Sequence, residues 1–136
     1  MMKHLLYIFF CFVLISGCKK HGPEDRVSDH GLVGKWTLTE TFMSPGAGGS
    51  WYPYNGAAPM NIEFTGTGEF ICTSNFPRAN MQYNRYTLSG SKVDVSSTNN
   101  SNTDTWTIHY LDANRLDIAI LACFEGCDYR FTYTGQ

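Results

Sequence analysis

A chain of 136 residues fits one domain, and its 43% apolar, 15% aromatic and 16% charged residues with a formal net charge of −2 exclude several classes. The length is short for a multidomain enzyme, the balanced charge lacks the basic stripe of a nucleic-acid binder, and the aromatic share is too high for disorder. Thirteen Gly with three Trp, eight Tyr and nine Phe point instead to a β-rich domain.

The chain opens with Met1-Met2-Lys3-His4, an unbroken apolar run from Leu5 to Ile15, and Ser16-Gly17-Cys18. A positive start, a short apolar stretch and small residues before a break make a secretory signal, too short for a comfortable membrane span. Ile15-Ser16-Gly17-Cys18 resembles the lipobox of bacterial lipoproteins. That resemblance implies cleavage after residue 17 and a diacylglycerol on the Cys18 thiol. Acyl chains contribute about 0.8 kcal/mol per buried methylene, so a Cys carrying two or three of them stays at the membrane. Residues 18–31 are polar and aperiodic and read as a flexible tether. Lys19 stands where an Asp would retain a lipoprotein in the inner membrane of Gram-negative bacteria, and no acidic surface-export run follows. The expected location is therefore the periplasmic leaflet of the outer membrane.

From Leu32 to the C-terminus, period-two alternation broken by Gly, Asn, Asp and Ser predicts eight strands and no helix. The first, about Val33 to Met43, places Trp36, Leu38, Glu40 and Phe42 on one face. Met60, Ile62 and Phe64 form the inward face of the second, and Phe70 and Cys72 that of the third. A turn at Thr65-Gly66-Thr67-Gly68 with three loop residues and a left-handed Gly68 joins these two. Tyr86 and Leu88 on strand four answer Val93 and Val95 on strand five across a Gly90-Ser91 turn. Residues 96–103 are a polar loop. Trp106, Ile108 and Tyr110 mark strand six, Leu116, Ile118 and Ile120 strand seven, and Tyr129, Phe131 and Tyr133 the last. Eight consecutive strands on short turns, each with one apolar face, favour closure into an antiparallel up-and-down barrel, because closure removes both edges. An open sandwich is the competitor. A barrel of this size is either filled by side chains or holds one small ligand.

Gly34-Lys35-Trp36 resembles the Gly-x-Trp signature of lipocalins, with Arg130 where that family keeps an Arg packed across the Trp. The lipobox, the Leu32-Val33-Gly34-Lys35-Trp36 opening, the Phe64-to-Phe70 hairpin and the segment from Cys123 to Phe131 together resemble the small lipocalin-like lipoproteins common in Bacteroidetes. The resemblance spans residues 32–136 and implies a lipocalin-like barrel with Arg130 against Trp36 at its closed end. The chain is shorter than a lipocalin and has no C-terminal helix, which counts against a large ligand cup.

Several residues are candidate ligand contacts. Glu40 shares its predicted face with Trp36 and Leu38, and a buried carboxylate must be paired or protonated. It either lines a wet cavity or sits at the rim. Asn84, Tyr86 and Trp106 share the inward face of their strands. Trp51, Tyr52 and Tyr54 lie on a Gly-rich connection that, in lipocalins, folds over the open mouth; they are expected either to contact a ligand or to plug the barrel end. A catalytic constellation is lacking: two of the three mature His lie in the tether, and His109 faces outward. A zinc site from Cys123, Cys127 and His109 matches no ribbon or finger spacing, and exported thiols oxidise instead; no metal or cofactor is expected. Cys123 and Cys127 are close enough in sequence for a bridge, although a two-residue Glu125-Gly126 turn would set them on opposite faces. Only a bulge there restores the Cα separation of about 4.4–6.8 Å that a bridge needs. A bridge through Cys72 is the alternative. The chain thus reads as a non-enzymatic, membrane-anchored barrel for a small hydrophobic or amphipathic ligand. The alternative is an interaction module for protein or glycan, a hydrolase inhibitor included, on a filled scaffold.

Overall fold

The computed structural model describes residues 31–44, 48–74, 76, 82–99, 101–120 and 127–136. The expected signal segment, Cys18, the expected tether up to residue 30 and Cys123 lie outside the described residues. Nine strands are present among the described residues: β1 (Gly34–Met43), β2 (Ser50–Pro53), β3 (Asn61–Phe64), β4 (Phe70–Cys72), β5 (Arg85–Ser89), β6 (Lys92–Ser96), β7 (Thr103–Leu111), β8 (Arg115–Ile120) and β9 (Asp128–Gly135). Eight of them pair antiparallel in the order β4-β3-β1-β9-β8-β7-β6-β5, with β2 added beside the upper half of β1. Apart from β1 with β9, and β1 with β3 across the short β2, the pairs are chain neighbours, so the sheet is an up-and-down meander curled into a nearly closed barrel. It is compatible with a lipocalin-like fold.

The seam falls between β4 and β5. A single bridge, Glu69 with Arg85, joins them, held by Phe70 N–H on the Asn84 carbonyl and Tyr86 N–H on the Gly68 carbonyl. The Tyr86 hydroxyl adds a bond of 2.7 Å to the Thr65 carbonyl. Above that stitch the strands part.

Turn chemistry sets the polarity of the barrel. Thr65 and Glu69 close a three-residue loop in which Gly68 has φ of 80°, the left-handed geometry that the hairpin demands. Gly90 has φ of 58° in the turn that pairs Leu88 with Val93. These tight turns lie at the end where the chain enters through Leu32 and leaves at Gly135. The described residues that flank the long β1–β3, β4–β5 and β6–β7 connections lie at the other end.

The interior is packed with rings. Trp36, Phe64, Phe70, Phe76, Trp106 and Phe131 are buried together with Ile62, Val93, Val95, Leu116 and Ile118. Phe64 meets Phe70 and Tyr86 at 5.3 and 5.0 Å between ring centroids. Phe70 meets Trp106 at 5.3 Å, and Phe76 touches Trp106, Tyr129 and Phe131. Each such edge or tilted pair adds about 0.5–1.5 kcal/mol to the area buried. Leu88, expected inward, is 46% exposed; its strand has lost its β4 neighbour at that level, so no wall covers it.

Two bulges overturn the simple alternation. In the β1–β9 ladder Leu38 faces Phe131, yet the next paired residues are Glu40 and Arg130, leaving Thr39 as the extra residue. One inserted residue moves everything beyond it to the opposite face. Since Phe131 is buried, its neighbour Arg130 points outward, and Glu40 beside it does too. A second bulge, between Ile108 and Tyr110 of β7, sets Tyr110 opposite Asp117 on the outer wall and returns Leu111 to the core.

Candidate binding site

Where the seam opens, the described residues enclose a cleft of about 360 Å³. β4 and the segment after it supply Phe70, Ile71, Cys72, Thr73 and Ser74; the approach to β5 supplies Gln82, Tyr83 and Asn84; Phe76 and Asn99 complete it. The floor is aromatic but narrow, because Phe70, Phe76 and Tyr83 are only 2%, 4% and 7% exposed. The walls are amide, hydroxyl and thiol, with the half-exposed side chain of Ile71 among them. Cys72 is a free thiol that donates to the Ser74 carbonyl at 2.9 Å. None of the described lining residues is charged. The cleft lies on the long-loop side, away from the end where the chain enters.

Asn84 lines this cleft, but its side chain is largely committed. Its amide NH₂ donates to the Thr98 hydroxyl at 2.7 Å and its oxygen accepts the Thr98 N–H at 2.9 Å, so it pins the β6–β7 loop. Gln82 and Asn99, exposed at the rim, have no side-chain hydrogen bond to any described residue. Tyr86 and Trp106 are core: Tyr86 braces the seam, burial pushes its hydroxyl pKa up, and Trp106 is sealed beneath Phe70 and Phe76.

The other sequence candidates gather on the outer wall. Glu40, expected to face the interior, accepts from Arg130 Nη1 at 2.6 Å; the Thr39 bulge is the reason. Arg130, expected across Trp36, instead sits 3.9 Å from the ring centroid of Trp51. Trp36 donates its indole N–H to the Leu32 carbonyl at 3.0 Å and packs edge-on to Tyr133. Trp51 therefore lies against the outer wall between Arg130 and Phe42 rather than over the mouth. Its strand, β2, forms where a loop was expected, pairing Trp51 with Phe42 and Pro53 with Glu40. Tyr54 packs against the core, whereas Tyr52 and Met43 on the β1–β2 hairpin are 48% and 57% exposed.

Asp117 is the centre of this wall and was missed from sequence. It is 5% exposed, and two guanidinium groups grip it: Arg130 at 3.0 and 3.1 Å, and Arg115 through Nε at 2.9 Å and Nη2. Burial pushes its carboxyl up, but the hydrogen bonds and charges of Arg115 and Arg130 outweigh it and hold the pKa below the ordinary value. Arg115 in turn lies over the Tyr110 ring at 4.4 Å. The result is a ladder of Trp51, Arg130, Asp117, Arg115 and Tyr110 running around the barrel. Arg115 and Asp117, two apart on one strand and so on one face, carried the signal in the sequence.

Cys127 is disulfide-bonded and Cys72 is free, which removes the alternative bridge through Cys72. His109 faces outward beside Asp128, at 3.4 Å. No group of three metal-ligating side chains occurs among the described residues. Comparison of the chain with protein-family models, with curated proteins and with solved structures finds no match.

Proposed function

We propose that this protein is a non-enzymatic binding barrel, held at the bacterial outer membrane by lipid on Cys18, whose small amphipathic ligand sits in the β4–β5 seam rather than along the barrel axis. One observation carries this reading: the axis is occupied by packed rings, whereas the seam is stitched at Glu69 and Arg85 and opens above into a cleft within the usual size range of ligand sites. An anchor preceding Leu32 would join the barrel at the end opposite the cleft. Native mass spectrometry of the full chain released from its own membrane tests the reading. A retained small molecule is expected on the wild type and absent from Ser74→Trp, which fills the cleft; an empty wild type, or equal retention by the variant, overturns it. Cys18→Ser is expected to move the protein out of the membrane fraction.

The exposed Met43 and Tyr52 on the β1–β2 hairpin favour a second reading, docking of another envelope protein. In-cell cross-linking that captures the same partners with Met43→Ser/Tyr52→Ser as with wild type would remove it.

A further inference from the structure

We infer that the seam cleft recognises a neutral polyhydroxylated ligand, a short saccharide; this rests on the cleft being the ligand site. Three features point to that chemistry. First, the lining carries amide and hydroxyl groups with no charged side chain among the described residues, so an anionic or cationic ligand would lose hydration without gaining a counter-charge. Second, of the described apolar lining, Phe70, Phe76 and Tyr83 are almost wholly covered by the core, and Ile71 alone is half-exposed. They offer a narrow apolar floor, and at about 25 cal/mol per Å² of buried apolar area a purely hydrophobic ligand would gain little there. Third, the side-chain amides of Gln82 and Asn99 stand at the rim without a described partner, while Asn84 holds the loop that carries Asn99 through its two bonds to Thr98. Amides present both donor and acceptor, which matches hydroxyl groups that both give and accept hydrogen bonds. A saccharide ring also has an apolar C–H face to lay on the narrow aromatic floor.

Cys72 supplies a built-in reporter, since its thiol lines the same cleft. The experiment alkylates the full chain in detergent with iodoacetamide and follows the Cys72 peptide by mass spectrometry. It is run with neutral oligosaccharides of glucose, galactose and N-acetylglucosamine, with an oligogalacturonate, and with the uncharged apolar dye N-phenyl-1-naphthylamine. A neutral oligosaccharide is expected to slow Cys72 alkylation, about tenfold at ten times its Kd because the free fraction falls as 1 + [L]/Kd. Gln82→Ala/Asn99→Ala is expected to abolish the protection while leaving the melting temperature unchanged. Protection by the dye or the oligogalacturonate with none by a neutral oligosaccharide overturns the saccharide assignment and leaves the cleft as the binding site. Failure of every probe to protect Cys72 overturns both.

Discussion

The guanidinium of Arg130 lies 3.9 Å from the centroid of the Trp51 ring, on the outside of the barrel. The same group donates to Glu40 and Asp117, so one side chain ties β2, β1, β9 and β8 together. Removing it leaves a buried carboxylate with only Arg115, and truncating one partner of a buried pair costs about 3–5 kcal/mol. Arg130→Ala is expected at the lower end of that range because Arg115 remains. Arg130→Lys should recover only part, since an ammonium cannot reproduce the planar fork. Urea unfolding followed by Trp fluorescence measures both. A loss below about 1 kcal/mol, the level of an exposed pair, would show that Arg115 alone satisfies Asp117.

Asp117 also makes stability depend on acid. Its folded pKa is lowered, against the pull of burial, by the bonds and charges of Arg115 and Arg130. Asp112 is lowered as well, chiefly by the backbone N–H of Asn114 and then by the Tyr110 hydroxyl. A carboxylate with a depressed folded pKa stabilises fully above its unfolded value of about 3.9 and loses that contribution as pH falls through the folded value. Unfolding free energy is thus expected to fall below about pH 4, and less steeply in Asp117→Asn, which starts lower at neutral pH. Equal acid slopes for variant and wild type would remove Asp117 as the cause.

Gly34 is required by the ring beside it. Its φ is 139°, and a Cβ built there would collide with the edge of the Tyr133 ring and press on the Gly135 carbonyl. Tyr133 packs edge-on to Trp36 at 5.2 Å, so it cannot give way freely. Gly34→Ala is expected to cost about 1–3 kcal/mol from overpacking and backbone strain. Adding Tyr133→Ala should relieve the collision, making the double variant less destabilised than the sum of the two singles. Strict additivity in a thermal or urea cycle would place the cost in the backbone alone.

The barrel was legible in the sequence because most of its strands alternate cleanly and their turns carry Gly at the positions that need a left-handed backbone. Val93 and Val95, Leu116 and Ile118, and Phe64 and Phe70 all fall where period-two patterning puts them. The site was less legible, for a specific reason. A bulge changes the facing of every later residue on its strand, and neither Thr39 nor His109 differs in type from an ordinary strand residue. Glu40 and Tyr110, expected inward, thus face outward, whereas Arg130 faces outward as the alternation around Phe131 predicts; the Arg130 contact that the lipocalin resemblance implies with Trp36 is made with Trp51. The seam was invisible for a different reason: which ladder stays unsealed depends on how far β4 and β5 overlap, and no residue type encodes that. Glu40 gives a direct check. As an outer-wall partner it is a third exposed, so Glu40→Gln should cost about 0.5–1 kcal/mol and leave Cys72 protection unchanged, whereas an inward ligand contact would abolish it.

Phe76 separates the filled axis from the open seam. Its ring stands edge-on to Tyr129 at 4.8 Å, Phe131 at 5.7 Å and Trp106 at 5.8 Å, and it also lines the cleft. Phe76→Ala removes a fully packed ring, for which the usual loss is about 3–5 kcal/mol, less wherever the surroundings collapse into the space. If the β-strand walls hold their shape, the void joins the cleft and exposes the faces of Trp106 and Phe131. An apolar site then appears where the wild type has only a narrow floor. N-phenyl-1-naphthylamine fluorescence is expected to rise with Phe76→Ala and to stay low with wild type, at temperatures where both are folded by circular dichroism. A dark variant with the expected stability loss would show that the neighbouring rings close over the gap. A bright wild type would show that apolar molecules already bind, in the cleft if Cys72 is protected at the same time and along the axis if it is not.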